Sequence, residues 1–261
     1  MSTVAVIGLG DLGMALAMRL HEQGVEVEAV ERDSARCEQW QGASGRRASQ
    51  NLASIGAERI FVCVRTTAQA ESVLVELSAA HGDSTRVVYI VTTLEPAFAR
   101  RLGEFTSSRL RVIELPISGG KAGALRGDLT VMVGGGVAAT EDVDFVTATL
   151  ARVAFSFDKY GDATMVKLLN NALGACNAAA FANCLGLAEA VGIDPRTCAG
   201  VLRAASGSSW MAENFEVLVD DLLTKDVELL RQELGRVPVA DLSDGAAFEA
   251  ELARARALLC R

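Results

Sequence analysis

The chain has 261 residues, half of them hydrophobic, and carries 25 Lys and Arg against 33 Asp and Glu for a net charge of -8. That length suits one large domain or two smaller ones, and the acidic balance excludes a general binder of nucleic acid or of an anionic membrane surface. Six scattered cysteines without a C-x-x-C pair, and only two histidines, His21 and His81, argue against a disulfide framework, a histidine metal site and a Ser-His-Asp triad; reduced thiols in a cytoplasmic protein are expected.

Thr3-Val4-Ala5-Val6-Ile7 is a β-branched apolar run, read as a buried strand that leaves no room for a signal or transit peptide before it. It leads into Gly8-Leu9-Gly10-Asp11-Leu12-Gly13, a helical pattern from Met14 to Gln23 stopped by Gly24, and a second strand from Val25 to Val30. A G-x-G-x-x-G hexapeptide alone is a weak signal, but between strand and helix it is a dinucleotide-binding fingerprint. Gly8 allows the tight turn, Gly10 lets a pyrophosphate approach the backbone, Gly13 allows close helix–strand packing, and the helix N-terminus faces the phosphates. At the end of the second strand, Glu31 suits the ribose hydroxyls of NAD and Arg32 the 2′-phosphate of NADP. The expected cofactor is therefore NAD or NADP, with the preference open.

The alternation continues. Strands are expected at Ile60 to Val64, Val87 to Val91, Arg111 to Leu115, Leu129 to Val133 and Val153 to Phe157. Helices are expected at Ala68 to Ala80, after the Thr92-Thr93-Leu94-Glu95-Pro96 turn, and at Glu141 to Leu150. Repeated strand–helix units imply an α/β Rossmann-type doubly wound sheet over residues 1–160. From Gly161 onward every segment reads as helix: a long one from Asp162, then Pro195 to Ala204, Trp210 to Leu223, Asp226 to Leu234 and Ala246 to Leu259. Residues 161–261 thus read as an all-α C-terminal domain. The apolar run from Ala172 to Ile193 is interrupted by Asn177, Asn183 and Glu189, which favours a core or interface helix over a membrane span. Its surplus apolar surface points to a homodimer.

Two stretches carry chemistry. Lys167 and Asn171 project from one face of the long helix, one turn apart. A snorkelling lysine is the plain reading, but the positive end of a helix dipole is a poor place for an idle ammonium. Lysine is scarce, with only Lys121, Lys159, Lys167 and Lys225 in the chain, so a titratable amine where arginine would otherwise stand is a pointer to function. The second stretch, Ser118-Gly119-Gly120, follows the carboxyl end of a strand. Its backbone N–H groups and the Ser118 hydroxyl suit a carboxylate, although an ordinary loop has the same composition.

Gly8-Leu9-Gly10-Asp11-Leu12-Gly13, Glu114-Leu115-Pro116-Ile117-Ser118-Gly119-Gly120, Lys167-Leu168-Leu169-Asn170-Asn171 and Lys225-Asp226, in this order and spacing, resemble the β-hydroxyacid dehydrogenases. That family includes 3-hydroxyisobutyrate dehydrogenase, tartronate semialdehyde reductase and glyoxylate/succinic semialdehyde reductase. The resemblance covers nearly the whole chain and implies hydride transfer between NAD(P) and a small hydroxyacid or aldehyde. It makes Lys167 the catalytic acid/base, Asn171 the substrate-orienting amide and Ser118, Gly119 and Gly120 the substrate-carboxylate segment. It places Thr93 near the nicotinamide, Val64 and Arg65 in a turn over the cofactor, and Lys225 on the cofactor side. For Lys167 to act as a base, burial and the helix N-terminus must favour its neutral form.

Asn170 stands where 6-phosphogluconate dehydrogenases usually carry His, and imine reductases of similar fold usually lack the lysine. The C-terminal region is shorter than in the family, with Val237 to Asp241 where longer helices would run, so substrate identity does not transfer. The alternatives are a reductase of a larger specialised-metabolite carbonyl or imine on the same scaffold, and a catalytically idle dinucleotide-binding protein.

Overall fold

A strand covered on both faces is apolar at nearly every position, not at every second one. β1 (Thr3–Ile7) follows that rule: Val4 and Val6 belong to one hydrophobic cluster, Ala5 and Ile7 to another. The computed structural model describes residues 3–79, 85–136, 138–218, 220–238, 242 and 245–259; His81, Cys260 and residues 239–241 lie outside these. After β1 come α1 (Asp11–Glu22), β2 (Glu26–Val30), α2 (Ser34–Ser44), β3 (Arg59–Val62), α3 (Thr67–Ala79), β4 (Arg86–Ile90) and α4 (Pro96–Ala99). Then follow β5 (Leu110–Glu114), β6 (Ile117–Ser118), α5 (Gly120–Arg126), β7 (Leu129–Gly134), α6 (Thr140–Thr149) and β8 (Ala151–Phe157).

The first five strands lie parallel in the order β2-β1-β3-β4-β5. β7 joins antiparallel, pairing Gly134 with Glu114 of β5 and Val131 and Thr130 with Ile117 and Ser118 of β6, and β8 runs parallel to β7. Side chains alternate strictly across the sheet. Phe61, Tyr89 and Ile113 face α1 and α6, whereas Ile60, Val62, Val88 and Val112 face α3 and α4. This is the Rossmann-type doubly wound α/β fold expected from the sequence.

The remainder is helical: α7 (Asp162–Ala190), α8 (Pro195–Ala204), α9 (Trp210–Glu213), α10 (Asp220–Leu234) and α11 (Gly245–Leu259). Contacts divide the chain into two compact units, one ending at Leu168 and the other starting at Leu169, so α7 contributes to both. No helix among the described residues is long and apolar enough to cross a membrane. Cys37, Cys63, Cys176, Cys184 and Cys198 are free thiols.

The helix expected after the Thr92 to Pro96 turn is present, as a single turn with Pro96 in its first position, followed by a 3-10 turn at Leu102–Phe105. Two expectations need correction. The Ser118-Gly119-Gly120 segment is not a loose loop but the end of β6 and the start of α5. The expected helix from Trp210 to Leu223 is α9, a 3-10 turn at Phe215–Val217 and the start of α10. Asn214 leaves the helical conformation and its Nδ2 donates back to the Trp210 carbonyl at 2.9 Å, a local side-chain bond that competes with continuation of the helix.

Candidate active site

The glycine turn between β1 and α1 is dictated by close approach. Gly8 sits at φ +90°, and a Cβ there would lie 2.7 Å from the Cys63 carbonyl oxygen. A Cβ on Gly13 would lie 1.9 Å from the Gly8 carbonyl oxygen. Only glycine fits either place. Gly10 differs, because a Cβ there would meet nothing within 4 Å. It is the N-cap of α1, with no side-chain cap on the first-turn N–H groups. Open room beside uncapped helical amides fits a pyrophosphate. Leu9 is buried beneath the turn, while Asp11 is exposed in the first turn of the helix.

Glu31 is brought to this turn. Its carboxylate accepts hydrogen bonds from the backbone N–H groups of Leu9 (2.7 Å), Arg32 (2.7 Å) and Asp33 (3.0 Å), with the Arg36 guanidinium 3.7 Å away. The Arg32 side chain is exposed beside it. Val64 packs its Cγ1 near Gly8, and Arg65 donates its backbone N–H to Gln69 Oε1 at 3.0 Å. Thr92 holds this second turn: its hydroxyl accepts from Val64 N–H at 3.1 Å and donates to the Val64 carbonyl at 2.9 Å. Sequence reasoning singled out Thr93, which is half-buried, and passed over buried Thr92.

Ser118 ends β6, and Gly119 and Gly120 follow at φ +126° and +61°. A Cβ on Gly119 would press on Leu129 Cδ2 at 3.0 Å. These angles reverse the chain within two residues, a turn open to glycine and strained for other residues.

Lys167 lies in the second turn of α7 with only 8% of its surface exposed. The first turn is held by Glu114, the last residue of β5, which sequence reasoning quoted only as part of a motif. Its carboxylate accepts from Gly161 N–H at 2.8 Å and Thr164 N–H at 2.6 Å. Burial pushes the Glu114 carboxyl above its ordinary pKa, against the pull of those two backbone bonds toward the charged form.

The other predicted residues belong to the helical unit. Asn171 donates from Nδ2 to Asp226 Oδ2 at 2.6 Å, and its Oδ1 accepts from Asn170 Nδ2 at 3.0 Å. A carboxylate can only accept, so Asp226 settles which way the Asn171 amide points. Asp226 is 5% exposed, and the Lys225 ammonium stands 3.8 Å from its other oxygen. Sequence reasoning noted Asp226 as the neighbour of Lys225 and missed its hold on Asn171.

A glycine turn opening onto uncapped helical amides at the carboxyl end of a parallel sheet, with an acidic residue fixed beside it, defines a dinucleotide-binding oxidoreductase scaffold. Residues 3–161 match the family model for the NAD binding domain of 6-phosphogluconate dehydrogenase. Residues 161–241 match that for NAD-binding of NADP-dependent 3-hydroxyisobutyrate dehydrogenase. An uncharacterized oxidoreductase of Shewanella frigidimarina is 30% identical over 219 residues, covering 82% of this chain and 75% of that one. An L-threonate dehydrogenase of Cupriavidus necator is 29% identical, covering 81% and 73%. The crystal structure of a 3-hydroxyisobutyrate dehydrogenase from Salmonella typhimurium superposes with a TM-score of 0.80 at 24% identity, over 98% of this chain and 95% of that one. The chain belongs to the β-hydroxyacid dehydrogenase family. It is a hydroxyacid dehydrogenase that uses NAD or NADP.

Proposed function

We propose that the protein oxidises a small β-hydroxyacid, or reduces the corresponding semialdehyde, with Lys167 as general acid/base. The observation that carries this reading is a lysine only 8% exposed in the second turn of a helix, a buried amine that, unlike a guanidinium, can give up and take back a proton. When bound, the dinucleotide supplies or accepts a hydride at its nicotinamide ring. In oxidation, neutral Lys167 takes the proton from the substrate hydroxyl as hydride leaves the same carbon. In reduction, the Lys167 ammonium returns a proton to the carbonyl oxygen.

In this reading Ser118, Gly119 and Gly120 receive the substrate carboxylate, and Asn171, fixed by Asp226, orients the hydroxyl. Gly8 to Gly13, Glu31, Arg32, Val64, Arg65, Thr93 and Lys225 hold the dinucleotide. Residues 1–160 act as the nucleotide-binding domain and residues 161–261 as the substrate and dimerisation domain. The protein is a cytoplasmic homodimer on this account; free thiols support the first property, and Leu187 on α7 and Val191 just after it, 67% and 72% exposed, support the second. L-Threonate, the substrate in the relative's name, and 3-hydroxyisobutyrate define the substrate class to try. The test is a panel of short β-hydroxyacids and semialdehydes followed at the nicotinamide absorbance with NAD and with NADP. Turnover of at least one member is expected. Cofactor binding with no turnover anywhere in the panel would sink the small-hydroxyacid reading.

A further inference from the structure

Glu114 is a buried carboxylate that accepts from backbone N–H groups at the start of another element. It is 1% exposed at the end of β5, and the two N–H groups it accepts are those of Gly161, just before α7, and Thr164 in its first turn, 47 and 50 residues later. Those amides are orphan donors that a helix normally gives to a neighbouring Ser, Thr, Asp or Asn cap. A local cap travels with its helix. A cap delivered from a strand fixes the helix to that strand. Gly161, at φ +90°, has no side chain with which to cap, and a Cβ there would lie 2.6 Å from Arg100 Cγ.

The space for the carboxylate is reserved from the other side as well. Gly134 is the β7 partner of Glu114, and a Cβ on it would lie 2.4 Å from Glu114 Oε2 and 3.0 Å from Ala163 Cβ. Burying a carboxylate is expensive, and the positive end of the helix and two charge-assisted bonds offset part of that cost. An ordinary cap would have satisfied the same amides at the surface.

What lies on each side of Glu114 gives the arrangement its meaning. Pro116, β6 and Ser118-Gly119-Gly120 begin two residues after it. Lys167 comes three residues after its partner Thr164, on the same face of α7. We infer that Glu114 is a positioning residue that fixes Lys167 relative to the Ser118-Gly119-Gly120 segment. The inference rests on the proton-transfer role of Lys167 proposed above. Glu114 touches neither reactant; it acts by holding the turn that presents the amine.

Glu114→Gln keeps the size but turns an N–H donor toward one of the two amides. Two readouts decide the matter. The first needs no turnover: in the cofactor-free protein, acylation of the Lys167 amine, followed by peptide mass, should run several-fold faster than in wild type. The second is a split in the kinetics. With 3-hydroxyisobutyrate or L-threonate as substrate, kcat should fall by about 100-fold, the scale of a misplacement near 1 Å, while the Kd for NADH and NADPH stays within about two-fold. Glu114→Asp, which restores the charge on a shorter arm, should recover part of both. If Glu114→Gln does not fold, Gly134→Ala, which displaces the carboxylate without removing it, should give the same pattern.

A folded Glu114→Gln with unchanged acylation and unchanged kcat overturns the inference. So does a parallel loss of kcat and cofactor affinity, or failure of both variants to fold, since Glu114 would then serve the fold alone. Lys167→Arg, run alongside, separates the two claims. An active Lys167→Arg enzyme removes the lysine reading itself, whereas an inactive one beside a normal Glu114→Gln removes only the positioning role.

Discussion

In the sheet unit, Trp40, Phe61, Tyr89 and Leu9 are buried to 1% exposure or less, whereas in the helical unit Leu187, Val191 and Val217 stand 67%, 72% and 73% exposed. The sheet unit covers its strands on both faces with its own helices. In the helical unit, among the described residues, Phe181, Ala199 and Ala212 form a small buried cluster, and α7 shows Leu169, Leu173 and Leu187 to solvent. Hydrogen-bonded carboxylates also differ in task. Glu31 and Glu114 tie backbone turns of the sheet unit in place, while Asp226 in the helical unit aims one amide. The sheet unit is built around fixed turns, and the helical unit leaves several large apolar side chains exposed.

This contrast can be broken in four ways. The largest effect is expected from Leu187→Glu combined with Val191→Glu. Covering a Leu or Val contributes about 1.5–3 kcal/mol, so a homodimer using this face should dissociate to monomer in light scattering while the sheet unit still binds NADH. A wild-type protein that is monomeric removes the homodimer from the account. Next is Gly13→Ala, which forces a Cβ into the Gly8 carbonyl. Overpacking of this kind costs about 1–3 kcal/mol, and nucleotide affinity in a fluorescence titration should fall by about 10- to 100-fold; an unchanged Kd would contradict the turn geometry.

Asp226→Ala comes third. A hydrogen bond to a charged group is worth about 1.5–3 kcal/mol, so kcat/KM should fall by about 10- to 100-fold with little change in the Kd of NADH, and an equal loss in both would make Asp226 part of the cofactor site. The smallest effect concerns pH. Glu114 has a raised pKa in the folded protein because it is desolvated, so between its ordinary pKa and the raised one the folded state binds the extra proton. The stability it contributes is present at low pH and is lost as pH rises through the folded pKa. Chemical denaturation across that window should show wild type losing stability relative to Glu114→Gln as pH increases; a difference that grows in favour of wild type reverses the sign and contradicts the desolvation.

The glycine fingerprint was legible because each glycine answers to a steric demand within a few residues, and β1, α1 and β2 follow from the same short stretch. α2 was not read at all. Only Trp40 of its eleven residues is buried, so no apolar period announces it. Its real signals are the caps, Asp33 accepting from Arg36 N–H at 3.1 Å and Gly45 at φ 72°, and these were present in the sequence. Lys167 and Asn171 could be found by their i, i+4 spacing on one helix. Glu114 and Asp226 could not be found that way, because the groups they hold lie 47, 50 and 55 residues distant and only the fold brings them together. Thr92 is the same lesson at closer range: its bonds to Val64, 28 residues away, are made by the fold and not announced by composition.

The central claim is that Lys167 moves the proton. Lys167→Arg keeps the charge and nearly the length, but its guanidinium cannot give up a proton at working pH. With any substrate that the wild type turns over, kcat should fall by about 10²–10⁴-fold, while the Kd for NADH or NADPH remains within about two-fold. A Lys167→Arg enzyme that turns over at the wild-type rate contradicts the account.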